Sequence, residues 1–211
     1  MIALIDYGSG NLRSVEKALR FVGADVQVVS DASGLRHARA VVFPGVGAFD
    51  DCITALSRQG LCDPIREFIT SNRPFLGICV GYQALFERSE EFESRAAGLG
   101  IFHGTVVRFS ESKGLKIPQI GWNKIALTQA DCPLYKGIKD GSYVYFVHSY
   151  YPQPLDASIM ATRTVYGDAF ASSVCKGNVF ATQFHPEKSQ EVGLKVLKNF
   201  VELAGAKRLQ G

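Results

Sequence analysis

The first half of the chain alternates short apolar runs with segments that have helical spacing. The runs are stopped by polar or turn-forming residues, and they cover Ile2–Ile5, Val26–Val29, Ala40–Phe43 and Phe75–Ile78. A proline suited to a first helical turn, Pro64, marks one of the intervening helices. Strands that are apolar on both faces and separated by helices are typical of a parallel sheet covered on both sides. The pattern predicts an α/β fold with three layers, in which a mainly parallel central sheet is flanked by helices.

From Gly98 onward, the pattern changes to short strands joined by hairpins or short loops. The predicted strands are Val106–Phe109, Lys124–Leu127, Tyr143–Tyr151, Ser158–Val165, Phe170–Val174 and Val179–Phe184. The last segment, Gln190–Ala204, places apolar residues on one helical face. Because no linker or repeat interrupts the sequence, we expect residues 1–211 to form a single domain, with an antiparallel extension to the mainly parallel sheet.

Length and composition limit the class of protein further. A chain of 211 residues with 46% hydrophobic residues is long enough for one sizeable core. The net charge of +3 is small and the basic residues are dispersed, so nucleic acid is not an expected partner. The start of the chain lacks a basic leader, and no apolar stretch approaches the ~20 residues of a membrane helix. The five cysteines contain no C-x-x-C pair, which argues against a disulfide framework or a metal site and favours a reducing cytoplasm.

One cysteine stands in a pattern that is typical of a nucleophile. Cys79 lies between Gly77 and Gly81, after an apolar strand and before a helix that we expect to carry Ala84, Leu85 and Phe86. This is the spacing of a nucleophile elbow, in which flanking glycines allow a strained turn that holds the side chain out. The positive end of a helix would also favour the thiolate. The alternative is a small buried residue, which is our interpretation of the other cysteines: Cys52, Cys62, Cys132 and Cys175.

A base for this cysteine is predicted near the C-terminus. His185 and Glu187 follow an apolar strand, at the sheet edge where sites on open α/β sheets tend to lie. If the backbone stays extended, the two side chains project to the same side, so the carboxylate can orient the imidazole. The alternative is a histidine at a strand end with a solvated glutamate beside it. Cysteine, histidine and glutamate in one chain favour a catalytic triad.

A glycine-rich turn is the candidate for an oxyanion hole. The stretch Pro44–Gly47 lies between a strand and a helix, and backbone N–H groups at a helix start can bind a developing oxyanion. The N–H of Val80, directly after the cysteine, would complete the hole. An ordinary tight turn is the alternative for this stretch.

Together these segments resemble the class I glutamine amidotransferases. The resemblance rests on Asp6–Leu12, Pro44–Gly47, the elbow through Gln83, Gly121–Asn123, Tyr145–Tyr150 and Phe184–Ser189. It implies the flavodoxin-like fold of that family, hydrolysis of L-glutamine to glutamate and ammonia, and no metal or organic cofactor. Within the family, the chain looks like the glutaminases that pass ammonia to a cyclase making imidazole glycerol phosphate in histidine biosynthesis. That cyclase has a TIM-barrel fold and would form a heterodimer with this chain.

The resemblance also implies a role for individual positions. Cys79, His185 and Glu187 would be the catalytic triad. The oxyanion hole would comprise Val46, Gly47 and Val80. Glutamine would be held by Gly45, Gln83, His148, Ser149 and Tyr150. The surface that docks on the cyclase would include Asn11, Ser14, Trp122 and Tyr145, although Trp122 and Tyr145 are equally compatible with a place in the core.

Three positions depart from the pattern of these glutaminases. Gln119 and Ile120 precede the Gly-Trp-Asn segment where the family usually has His-Met, and Tyr82 stands where the elbow commonly has Met. The departures leave open a related glutaminase that serves another synthase, for surface-sugar amidation or pyridoxal phosphate synthesis. A non-catalytic subunit that caps a barrel and a γ-glutamyl peptidase acting alone are further alternatives.

Overall fold

The computed structural model describes residues 1–8, 11–94, 96–111 and 114–205. Ser9 and Gly10, which belong to one of the segments that carry the resemblance, lie outside the described residues. The strands are β1 (Ile2–Ile5), β2 (Val26–Val29), β3 (Ala40–Gly45), β4 (Phe75–Cys79), β5 (Phe86–Ser89), β6 (Phe102–Arg108), β7 (Gln119–Lys124), β8 (Ala126–Leu127), β9 (Tyr143–His148), β10 (Tyr150–Pro154), β11 (Met160–Tyr166), β12 (Asp168–Lys176) and β13 (Val179–Thr182). The helices are α1 (Leu12–Phe21), α2 (Ala32–Arg36), α3 (Phe49–Arg58), α4 (Cys62–Thr70), α5 (Val80–Gln83) and α6 (Gln190–Gly205).

A mixed sheet is the centre of the fold. Across the described ranges it runs in the order β2-β1-β3-β4-β13-β12-β11-β8. The first five strands in this order, β2, β1, β3, β4 and β13, pair in parallel. The last three, β12, β11 and β8, extend the sheet by antiparallel pairing. The buried strands β1, β3 and β4 are apolar on both faces, as a parallel sheet covered on each side requires. The predicted fold class, including the antiparallel extension, is confirmed.

Helices flank this sheet and bury their apolar stripes on it. The α1 helix buries Val15, Ala18 and Leu19 and packs against α6, which buries Val196 and Leu197 among others. The α3 helix packs against α4 and α5, and α2 packs against α4. Two smaller sheets, β10-β6-β5 and β7-β9, complete the described part of the chain.

The second half differs from the sequence prediction in the way its strands divide. The predicted strand Tyr143–Tyr151 breaks at Ser149 into β9 and β10, which belong to different sheets. The predicted strand Lys124–Leu127 is shared between the end of β7 and the short β8. Alternating patterns mark the presence of a strand, but they do not tell which neighbour will accept its backbone hydrogen bonds.

The order of the parallel strands creates the functional edge of the sheet. Gly45 at the end of β3 is paired with Cys79 at the end of β4, and Thr182 at the end of β13 is paired with Ile78. The segments that leave these three strands therefore emerge side by side at the carboxyl edge, where ligands of open α/β sheets bind. They contain the predicted nucleophile, the predicted base and the predicted oxyanion turn.

Candidate active site

Cys79 stands at a sharp, strained turn between β4 and α5. Its φ of 55° and ψ of −110° lie outside the regions that residues with a side chain ordinarily adopt. The helix that follows is a single turn, Val80–Gln83, and Phe86 begins β5. The prediction of a helix through Ala84, Leu85 and Phe86 is therefore wrong. The carbonyl groups of Ala84 and Leu85 instead accept hydrogen bonds from Leu99 and from Ile101–Phe102, far along the chain.

The glycines around the cysteine provide space rather than unusual dihedral angles. The positive φ belongs to Cys79 itself, and neither Gly77 nor Gly81 has one. A Cβ atom at Gly77 would lie 2.8 Å from the carbonyl oxygen of Gly81, and one at Gly81 would collide with the carbonyl oxygen of Phe43. Glycine is required because the backbones of β3, β4 and α5 approach one another too closely for a side chain.

The histidine and the glutamate form a buried, hydrogen-bonded pair. His185 Nδ1 and Glu187 Oε1 are 2.8 Å apart, and the side chains are 1% and 0% exposed. The backbone does not stay extended, because Pro186–Lys188 forms a turn of 3₁₀ helix, yet the two side chains still meet. Asn11 Nδ2 donates a second hydrogen bond to Glu187 Oε1, at 2.8 Å. The carboxylate is thus held from two sides.

The electrostatics of this pair favour a protonated imidazole. Burial alone would lower the pKa of His185, but the charges of Cys79 and Glu187 and the hydrogen bond to Glu187 raise the pKa to about 10. His185 Nε2 is buried and makes no hydrogen bond within the described residues. Cys79 is nevertheless close enough to be the main interaction that raises the pKa of the ring. The arrangement can hold an imidazolium beside a thiolate.

A cavity of about 370 Å³ opens at the cysteine. Its lining brings together Cys79, His185 and most of the residues predicted to bind an oxyanion or a substrate, namely Val46, Gly47, Val80, Gln83, His148, Ser149 and Tyr150. Gly45 lies instead at the end of β3, beside a smaller cavity that is also lined by Glu187. The predicted site residues therefore meet at one place.

The predicted oxyanion turn has a glycine in a left-handed conformation. Gly47 is exposed, with a φ of 101°, and an added Cβ atom there would meet nothing within 4 Å. Conformation rather than space requires glycine at this position. Beyond the turn, Phe49 N at the start of α3 donates a 2.7 Å hydrogen bond to Glu91 Oε2. The segment after β5 thus holds the helix that follows the turn.

His148 is fully engaged inside the protein. Its Nδ1 lies 2.8 Å from the carbonyl oxygen of Tyr150, and its Nε2 lies 3.0 Å from the side-chain amide of Gln119. Phe109, Phe146 and other aromatic rings surround the imidazole. Burial lowers the pKa of His148 to about 3, so the ring is neutral.

Several residues at the site were missed by the sequence prediction. Glu91 and Lys188 line the cavity, Gln183 donates a hydrogen bond to Cys79 Sγ at 3.7 Å, and Asn11 was assigned only to the docking surface. Glu91 has no motif around it that points to the site. Gln183 could have been found from its place directly before the Phe-His-Pro-Glu segment, at the end of a buried strand.

The remaining predicted docking residues lie on three elements, β7, β9 and α1. Trp122 on β7 is 46% exposed, and its ring makes an edge-to-face contact with that of Tyr145 on β9, with centroids 6.0 Å apart. Trp122 and Tyr145 are therefore not core residues. Ser14 is exposed on α1.

The other cysteines do not line the cavity, whereas Cys79, which is also buried, does. Cys52 is 1% exposed, and burial raises its pKa to about 12. Cys132 is buried, whereas Cys62 and Cys175 are half-buried. Within residues 1–8, 11–94, 96–111 and 114–205, no group of three or more His, Cys, Asp and Glu residues is placed to hold a metal ion. None of the helices described there is both long enough and apolar enough to cross a membrane.

Comparison with known proteins gives one consistent family. The model of the glutamine amidotransferase class-I family matches residues 3–203. Two similar relatives are both named imidazole glycerol phosphate synthase subunit HisH. The protein from Syntrophotalea carbinolica is 49% identical over 208 residues, which cover 96% of this chain and 100% of the relative. The protein from Caldanaerobacter subterraneus subsp. tengcongensis is 50% identical over 203 residues, which cover 96% of this chain and 98% of the relative.

Solved structures share the fold at much lower identity. A glutamine amidotransferase crystal structure has a TM-score of 0.75 at 20% identity and covers 98% of this chain and 100% of its own. The PurLQS structure from Thermotoga maritima has a TM-score of 0.74 at 20% identity, with 96% of each chain covered. At this identity, the likeness concerns the fold alone.

Proposed function

Because this chain belongs to the class-I glutamine amidotransferase family, we propose that it is the glutaminase subunit of an imidazole glycerol phosphate synthase. It hydrolyses L-glutamine to L-glutamate and ammonia, and the ammonia passes to a cyclase that makes imidazole glycerol phosphate and an aminoimidazole carboxamide ribotide in histidine biosynthesis. The main support is that relatives with this name are about half identical to the chain over nearly the full length of both. A cysteine at a strained turn beside a buried His–Glu pair is the chemistry that a glutaminase needs.

The first half of the reaction forms a thioester on Cys79. The thiolate attacks the amide carbon of glutamine, and the carbonyl oxygen becomes an oxyanion that N–H groups of the Val46–Gly47 turn and of Val80 stabilise. As the intermediate collapses, the C–N bond breaks and the His185 imidazolium gives its proton to the departing nitrogen, which leaves as ammonia. The sulfur then carries a γ-glutamyl group. Glu187 keeps the imidazole oriented throughout, because its Oε1 accepts from Nδ1.

The second half of the reaction regenerates the cysteine. The neutral His185 takes a proton from a water molecule, and the oxygen of that water attacks the thioester carbon. The C–S bond breaks, glutamate leaves, and the sulfur returns to the thiolate beside the imidazolium. The raised pKa of His185 favours the return of this ring to its protonated form.

The cavity supports recognition of an amino acid. A carboxylate, Glu91, and an ammonium group, Lys188, both line it, so charges of either sign are present for the two charged groups of glutamine. Both ring nitrogens of His148 are already engaged, which leaves the adjacent Ser149 and Tyr150 as the polar side chains of that stretch. Burial raises the pKa of Glu91.

The β7–β9 sheet is the docking face for the cyclase. Ile120, Trp122 and Tyr143 are 63%, 46% and 52% exposed, and the strand register places them on the same face. Large exposed apolar side chains grouped on one surface are typical of protein interfaces. The same strands reach the site, because His185 N donates a 3.0 Å hydrogen bond to the carbonyl oxygen of Tyr145. A partner bound there would therefore touch the strand that holds the base.

The assembly follows from this assignment. The partner is a cyclase with a TIM-barrel fold, the complex is a heterodimer in the cytoplasm, and its overall reaction combines the glutaminase step with the carbon–nitrogen lyase chemistry of the partner. The exposed face of β7–β9 supports the formation of a complex, and the thiols, none of them in a disulfide within the described chain, support the location in the cytoplasm.

Replacement of the nucleophile tests the proposal. In a reconstituted complex with a histidine-pathway cyclase, Cys79→Ala should abolish glutamine-dependent product formation and leave ammonium-dependent formation intact. Glutamate release and imidazole glycerol phosphate formation are the two measurements. A Cys79→Ala complex that still consumes glutamine would refute the assignment of Cys79 as the nucleophile.

The matched control is Cys62→Ala, since Cys62 is half-buried on α4, away from the cavity. It should retain both activities. Failure of the wild-type chain to bind the histidine-pathway cyclase would refute the assignment of the partner.

A further inference from the structure

Cys79 Sγ has a second polar neighbour besides His185. The side-chain amide of Gln183 donates to the sulfur at an Nε2–Sγ distance of 3.7 Å, and Gln183 is 0% exposed. Its backbone is fixed as well, because Gln183 N donates to the carbonyl oxygen of Ser172 on β12 at 2.9 Å. The amide is thus presented to the sulfur by the main sheet.

The neighbouring hydrogen bonds determine which end of this amide faces the sulfur. Gln83 Nε2 lies 3.0 Å from the carbonyl oxygen of Tyr150, a group that can only accept, so this atom of Gln83 is the amide nitrogen. The same nitrogen lies 3.2 Å from Gln183 Oε1. Reversing the Gln183 amide would place two donors against each other and turn an oxygen toward the sulfur. The NH₂ group of Gln183 therefore points at Cys79.

The chain of hydrogen bonds continues to the docking face. The Tyr150 carbonyl oxygen also accepts from His148 Nδ1, so the neutral ring of His148 must accept at Nε2. Gln119 Oε1 lies 3.0 Å from this nitrogen, and two acceptors cannot bond to each other, so the Gln119 amide must be turned to present its NH₂ group to the ring. Gln119 is the first residue of β7. A single backbone carbonyl thus orients the three amides and the imidazole along this path from the sulfur to the β7–β9 sheet.

A donor at this position complements what His185 can do. The imidazolium gives up its proton during the reaction, so its charge is lost when ammonia leaves, whereas an amide N–H does not titrate in the working pH range. A neutral donor aimed at the sulfur lowers the energy of the thiolate and limits the rotation of its side chain.

We propose that Gln183 is a hydrogen-bond donor to the Cys79 sulfur and stabilises its thiolate. The proposal rests on the proposed role of Cys79 as the nucleophile. Gln183 and His185 then have different roles at the same atom. Gln183 donates a hydrogen bond to the sulfur, and His185 transfers the proton.

The test measures how alkylation of Cys79 by iodoacetamide depends on pH in the full-length chain. Gln183→Met keeps the length of the side chain but removes the donor. We expect its alkylation curve to shift to higher pH and its rate at neutral pH to fall about tenfold, with kcat for glutamine falling and KM nearly unchanged. Gln183→Glu, which places an acceptor against the sulfur, should shift the curve further.

The control is Asn199→Leu, which removes a buried amide whose two hydrogen bonds go to the carbonyl oxygens of Leu134 and Lys136. It should lower stability without moving the alkylation curve. If Gln183→Met or Gln183→Glu folds and its curve coincides with that of the wild type, the role of Gln183 is overturned. If wild-type Cys79 is not labelled at all, the proposed function fails instead, so the two failures are distinguishable.

Discussion

The two sides of Cys79 are built in different ways. One side, here called the base side, is formed by His185 and Glu187. Both side chains are completely buried, and Glu187 accepts a hydrogen bond from Asn11. Ser189 Oγ also donates to the carbonyl oxygen of His185 at 2.6 Å. On the oxyanion side, Val46 is half-buried and Gly47 is exposed. Buried, hydrogen-bonded side chains cannot rearrange without large cost, whereas an exposed glycine turn can.

The difference teaches which part of the site is ready before a partner or substrate arrives. The proton-transfer pair is preassembled by the core of the protein. The oxyanion turn depends on the backbone conformation of an exposed glycine and on the anchoring of α3 by Glu91. Damage to the base side should therefore abolish catalysis, whereas changes on the oxyanion side should reduce it by degrees.

The largest effect is expected when the base side is broken at His185. His185→Asn removes the proton donor and acceptor, so kcat for glutamine in the complex should fall by about three orders of magnitude or more. The pKa of His185 is raised to about 10, so the ring is protonated at neutral pH and places a positive charge beside the sulfur. Alkylation of Cys79 at neutral pH should accordingly be slower in His185→Asn than in the wild type.

Two results would contradict this view of the base side. One is a His185→Asn chain that is alkylated at neutral pH as quickly as the wild type. The other is a fall of only a few-fold in glutamine turnover. Ammonium-dependent turnover of the same complex provides the control for folding and assembly, and it should be unchanged.

An intermediate effect is expected when the oxyanion side is strained at Gly47. Alanine cannot adopt a φ of 101° without about 1–3 kcal/mol of strain. The backbone at residue 47 should therefore relax to another conformation, and its N–H group should turn away from the oxyanion. Gly47→Ala should lower kcat roughly tenfold to hundredfold, while alkylation of Cys79 keeps its rate. The matched control is Gly23→Ala, with a φ of 91° and equally open space, which carries the same strain away from the site. Equal losses of kcat in both variants would show that the turn at Gly47 has no specific role in catalysis.

The strand ends at the carboxyl edge explain why the core of the site was predictable. The apolar run before Cys79 and the one before His185 each predict a strand, and adjacent parallel strands place their ends together. No pattern in the sequence states that β4 and β13 are neighbours. The resemblance supplied that pairing, because the elbow and the His-Pro-Glu segment occur together in one family.

Gln183, Glu91 and Asn11 make contacts that the sequence could not reveal, although the place of Gln183 before the Phe-His-Pro-Glu segment brings it near the site. Gln183 acts through an amide whose orientation depends on a hydrogen bond between Gln83 and a carbonyl on another sheet. Glu91 reaches the start of α3 across 42 positions of the chain. Asn11 adopts a φ of 71° to reach Glu187, and only the packing of α1 beside the turn that follows His185 makes that contact possible. Such contacts arise from tertiary packing and have no periodicity or motif.

The smallest effect is expected at Glu91, which links the oxyanion side to the substrate. Burial raises the pKa of Glu91, so its carboxylate takes up a proton at a pH above the ordinary value of 4.5. As the pH falls, the wild-type site should lose a negative charge that attracts the ammonium group of glutamine, and KM should rise. Glu91→Gln should raise KM about threefold to tenfold at neutral pH and remove this acid dependence, because an amide does not titrate.

The exposed neighbour Glu90 distinguishes this effect from a general change in surface charge. Glu90→Gln removes the same charge one residue away from the cavity lining, and KM should keep both its value and its acid rise. If Glu91→Gln retains the acid rise of the wild type, the titrating group lies elsewhere. If instead kcat falls and KM stays constant, the hydrogen bond from Phe49 to Glu91 matters more than the charge, because loss of that anchor would displace α3 and the oxyanion turn before it. That outcome would show that Glu91 supports the oxyanion turn rather than the binding of glutamine.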